Sequence, residues 1–169
     1  MNKKKQKSKL KRNANTPISK ETDRKYPFII EACEDIPAIP THTHGLTEIG
    51  WPEFFIDPFA FGTQGNAARI NRAYKYFKRS ENNDALRSIL KGQTVKVTGK
   101  DLGFQEDPRD LHTYCFREAP PTFEGVKLAY PTEEGVDLSQ SGMRFVQIYV
   151  EGDEDFVLND DYYVGGVRA

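Results

Sequence analysis

One long helical period, in a chain otherwise made of short strand-like runs, sets the fold class. Over residues 65 to about 79, Ala67, Ile70, Ala73, Tyr74 and Phe77 recur at helical spacing and make one apolar face. Asn83 or Asp84 can cap a shorter helix through Leu86, Ile89 and Leu90, closed at Gly92. The other apolar residues cluster in segments 26–30, 41–43, 53–57, 94–98, 113–116, 126–130 and 143–150, rich in β-branched and aromatic side chains. The last is the strongest, with Phe145, Gln147 and Tyr149 on one side and Val146, Ile148 and Val150 on the other. Strands around a helix without regular strand–helix–strand alternation predict an α+β fold: a mostly antiparallel or mixed sheet packed against one main helix and one shorter helix.

Charge divides the chain. Residues 1–25 hold ten Lys or Arg against Glu21 and Asp23, a net +8, and the remaining residues sum to −9. With one Leu and one Ile, the leader has too little apolar surface to offset the entropy of ordering it. A disordered basic tail over 1–25 and a single α+β domain over 26–169 are therefore predicted. Lys3, Lys4, Lys5, Lys7, Lys9, Lys11 and Arg12 would bind polyanions through counterion release. Arg69, Arg72, Lys75 and Arg79, interleaved with Tyr74, Tyr76 and Phe77, can extend that surface. The acidic body and the missing groove-reading or RNA-stacking signature argue against it. A nucleic-acid accessory role is one alternative that follows. No apolar run is long enough to span a bilayer and no apolar stretch follows the charged start, so a cytoplasmic protein without a membrane partner is expected.

Three short motifs carry a family resemblance. Thr43-His-Gly-Leu-Thr47 is followed by Trp51-Pro-Glu-Phe-Phe-Ile56, and Val146-Gln-Ile-Tyr149 precedes an acidic-aromatic segment. Together they resemble a bacterial domain-of-unknown-function family, number four-two-six-two in that series, over residues 26–162. His44 stands where that family usually has valine, and His42 where it often has an aromatic residue. The resemblance implies a fold and a bacterial or phage setting, with no known chemistry.

His42, Thr43, His44, Gly45 and Glu48 make the most reactive line in the chain. Residues i and i+2 of a strand point the same way, so the two imidazoles can grip one ion. Glu48 can add a carboxylate, and His112 is the remaining histidine. Zinc would be the expected ion for His42, His44 and Glu48. The His-x-His-x3-Glu spacing is similar to the first cupin metal motif, but Ile36 and Phe55 occupy the places of its flanking glycines. The blander reading makes both histidines turn-flanking residues with backbone or carboxylate partners.

Cys115 near His112 reads as a strand core residue, and Ser139 and Ser141 lack a nucleophile-elbow pattern. Acidic runs such as 151–155 read as solvated loops. With no catalytic residue assigned, the leading expectation is a non-enzymatic binding module, with bacterial–phage conflict as one setting for it. It would take a protein partner or a small anionic ligand near residues 42–48, His112 and the helix start at Gly65. A metal-assisted hydrolase built on His42, His44 and Glu48 is the alternative.

Overall fold

The computed structural model describes residues 26–33, 39–104 and 112–163. Six strands form one mixed sheet: β1 (Ile29–Glu31), β2 (Thr41–His44), β3 (Glu53–Ile56), β4 (Val95–Thr98), β5 (Thr113–Ala119) and β6 (Phe145–Val150). Their order is β1-β2-β3-β6-β5-β4, with β3 and β6 parallel and every other neighbouring pair antiparallel. The expected α+β architecture is observed.

Alternation along the strands creates two buried faces. Phe54, Ile56, Val146, Ile148, Tyr114, Phe116 and Val97 point to one side. There they meet Ile70, Ala73, Tyr74 and Phe77 of α1 (Gly62–Lys78), with Leu86 and Ile89 of α2 (Asn83–Ile89) closing the layer. Phe77 is fully buried between Phe54 and Phe116, its ring 6.2 Å and 5.0 Å from theirs. Asn82 occupies the cap position of α2, one residue before Asn83 and two before Asp84, the caps expected from sequence.

The opposite face carries Phe55, Phe145 and Ala119, covered by α3 (Glu124–Ala129) and by Phe123, Tyr130 and Tyr163. Segment 126–130 is not a strand: Val126, Ala129 and Tyr130 are buried at helical i, i+3 and i+4 spacing. Six residues after a Pro-Pro pair give too short a window for that period to outweigh β-branched and aromatic content. The acidic run 151–155, expected as a solvated loop, instead leads into α4 (Glu154–Val157), which takes up Glu154 and Asp155. The buried Gln147 amide donates to the Val157 carbonyl at 2.8 Å and fastens this element to the sheet.

The alternation read from β6 holds, with both sides buried because both sheet faces are covered. Cys115 is buried and both cysteines are free. Among the described residues no helix is long and apolar enough to cross a membrane. The basic residues Lys3 to Arg12 lie outside the described residues.

Candidate functional site

Strand register brings the site together. Glu31 of β1 lies opposite His42 of β2, and Ile29 lies opposite His44. Glu31, His42 and His44 therefore share one sheet face by pleat alone. His42 in turn lies opposite Phe55, placing the cluster on the α3 side. Thr41 and Thr43 point the other way, and the Asn66 amide of α1 donates to the Thr41 hydroxyl at 3.1 Å.

Three donor atoms converge. His42 Nε2 and His44 Nε2 are 3.1 Å apart, and Glu31 Oε2 stands 3.5 Å and 3.3 Å from them. His42 Nδ1 donates to the Pro40 carbonyl at 2.7 Å, which leaves its Nε2 lone pair free for the cluster. A triangle with those edges has a circumradius of about 1.9 Å. An ion at the zinc distance of about 2.0–2.1 Å from each donor would sit about 0.7 Å above their plane, with donor–ion–donor angles of about 98–117°. That is one face of a coordination tetrahedron. Two imidazoles with one carboxylate suit zinc or a neighbouring transition ion better than calcium or magnesium. His42 is buried, while the His44 and Glu31 side chains are 39% and 58% exposed, so the cluster reaches solvent.

A second layer holds the peptide that joins the histidines. The Tyr130 ring packs edge-on against both imidazoles, at 4.9 Å from His42 and 5.4 Å from His44. Its hydroxyl donates to the Thr43 carbonyl at 3.0 Å. Burial, the main cause, holds that phenol well above its ordinary pKa, so it stays a donor. On the other side, the buried Glu53 carboxylate accepts the Thr43 hydroxyl at 2.8 Å and the Leu46 and Thr47 amides at 3.3 Å and 2.8 Å. Gly45 (φ +114°) makes the turn between them, where a Cβ would come within 3.0 Å of the Pro27 carbonyl oxygen.

Tyr130→Phe keeps the ring and removes the hydroxyl that fixes the Thr43 peptide. Zinc affinity is expected to fall about 10-fold, the lower end for loss of a supporting hydrogen bond, and folding stability by about 1–2 kcal/mol, because the buried Thr43 and Phe54 carbonyls lose their hydroxyl partner. Calorimetric titration beside a melting curve checks it.

No family model, curated protein or solved structure matches this chain. The functional reading therefore rests on the cluster's own geometry.

The residues expected from sequence divide accordingly. His42 and His44 do converge. Glu48 sits exposed in a short 3-10 turn and is outside the cluster, its place taken by Glu31. His112 is edge-on to Phe61 and Tyr114 at the mouth of β5. Strand spacing and rise put it about 20 Å from His42. Thr43 and Gly45 shape the turn instead of facing the cluster. The α1 start near Gly65 lies on the other sheet face, so it does not share a site with His42 and His44. Glu31, Glu53 and Tyr130 were missed. The only sequence signal for Glu31 was a carboxylate closing an otherwise apolar run.

Burial, the leading influence, lowers the His42 pKa below its usual value of about 6.5; the neighbouring His44 adds to this, and the Pro40 bond and Glu31 oppose it. As acid is added, the unfolded chain takes up this proton before the folded one. In the metal-free protein His42's contribution is thus fully present above about pH 6.5 and is lost as pH falls toward the lowered folded value. Urea midpoints measured in steps from about pH 7.5 to 5 are expected to decline, with a shallower decline in His42→Asn.

Proposed function

We propose that this protein binds one divalent transition ion, of the zinc class, through Glu31, His42 and His44, and uses the ion's open side for metal-assisted hydrolysis. The observation that carries this reading is the donor triangle, whose edges of 3.1, 3.3 and 3.5 Å match a tetrahedral face. Three protein donors with a solvent-facing side are the composition of catalytic zinc centres; structural ones are closed by four. A bound ion of this kind supplies an acidified water or a polarised carbonyl or phosphoryl oxygen. The chain's own residues supply the grip: Pro40 sets the His42 tautomer, and Tyr130 and Glu53 hold the turn.

One observation favours a second reading, in which the open position captures a ligand without turnover. The nearest buried carboxylate, Glu53, is committed to the turn, and Glu31 is itself a donor, so neither is free to act as a general base. A protein side chain or a small anion would then be the captured group, in line with a binding module.

Metal analysis of the purified full chain, followed by titration with zinc, tests the shared premise. One zinc per chain is expected; no stoichiometric metal and no affinity on titration removes both readings. Ester, phosphomonoester and phosphodiester hydrolysis by the zinc-loaded chain then separates them: turnover selects the hydrolase, and saturable anion binding without turnover selects the binding protein.

A further inference from the structure

We infer that metal occupancy at this site governs the docking of the far end of β1, so that zinc fastens the sheet's first edge strand; the inference rests on the metal-binding reading above. Two of the three donors stand on β2, an interior strand flanked by β1 and β3. The third stands on β1, which is three residues long and, among the described residues, lies at the sheet edge and pairs with β2 alone. A strand this short has little ladder to hold it.

Its two ends are attached unequally. Just before β1, Phe28 is buried, 4.9 Å from the Tyr74 ring of α1. At the other end Glu31 is exposed, and its carboxylate meets no Lys or Arg among the described residues, only the two imidazoles. A dication between carboxylate and imidazoles would cross-link β1 to β2 at its exposed end, just beyond Ile30, which packs against the core only in part. Because only the docked arrangement offers all three donors, zinc must favour docking by mass action. At zinc 100 times its Kd, the opening equilibrium can shift by up to about 100-fold.

The chain carries a reporter for this motion. Cys33, two residues beyond Glu31, is free and partly accessible, whereas Cys115 is fully buried. Alkylation of the native full chain by N-ethylmaleimide, read by mass spectrometry with and without zinc, therefore follows Cys33. Amide exchange at residues 29–31 supplies a second readout that does not depend on the thiol.

Zinc is expected to slow both processes about 10-fold or more, magnesium to slow neither, and Glu31→Gln to bind zinc more weakly without either protection. Zinc bound at one per chain with alkylation and exchange unchanged would overturn the inference and leave the metal site standing. Equal protection in Glu31→Gln would also overturn it. So would a Cys33→Ala variant that loses zinc affinity while the 29–31 amides exchange at the metal-free rate, because the thiol would then be a ligand. Failure to take up zinc at all would overturn both the site and its consequence.

Discussion

His44→Ala is expected to lower zinc affinity at least about 100-fold, about 2.7 kcal/mol of binding free energy, while the protein stays folded. The imidazole is one of three donors, and two donors cannot define the tetrahedral face that three do. Its side chain is 39% exposed, so truncation leaves no sealed cavity and stability should change by less than about 1 kcal/mol. Zinc titration and a urea melt on the same preparation separate the two effects. His112→Ala is the control: its imidazole lies against Phe61 and Tyr114, and affinity should be unchanged. Equal zinc binding by wild type and His44→Ala would mean that the donor triangle does not bind the ion.

Glu53→Ala is expected to cost about 3–5 kcal/mol of folding stability and to weaken zinc binding with it. The carboxylate is buried and accepts from the Thr43 hydroxyl, the Leu46 and Thr47 amides and the Thr47 hydroxyl. Removing it strands these donors in a turn where Thr43 and Leu46 are fully buried. Each unsatisfied buried donor costs about 1–3 kcal/mol before relaxation, so partial rescue by water still leaves a large loss. Glu53→Gln keeps one acceptor oxygen and should lose less. An unfolding free energy for Glu53→Ala, from urea melts, within about 0.5 kcal/mol of wild type would show that the network adds no stability.

Local features were legible in the sequence. The period from Ala67 to Phe77 is α1, and the alternation of β6 gives its two faces correctly. His42 and His44 share a direction because they are two apart on a strand, which needs no tertiary information. Glu31 was not legible as a donor, because its place beside His42 depends on the register of β1 against β2. Register is decided by which residues find the core, and two prolines, Pro37 and Pro40, interrupt the connecting segment. Glu48 looked better placed because it is near in sequence, but the turn carries it away from the sheet face. Tyr130 was hidden for a different reason: in a strand it would not have reached the turn, and only the helical form of 124–129 delivers its hydroxyl to Thr43. The β3–β6 pairing was beyond reach too, since no pattern within either strand names its partner.

That central parallel pair has a consequence for biosynthesis. β6 begins 89 residues after β3 ends, so a ribosome adding about 5–20 residues per second leaves β3 without its inner neighbour for about 4–18 s. During that interval the nascent chain displays the bare edge of an all-apolar segment, Phe54-Phe55-Ile56, a surface suited to chaperones or to unwanted association. Glu31, His42 and His44 have all been synthesised by then, so ion capture can precede completion of the sheet.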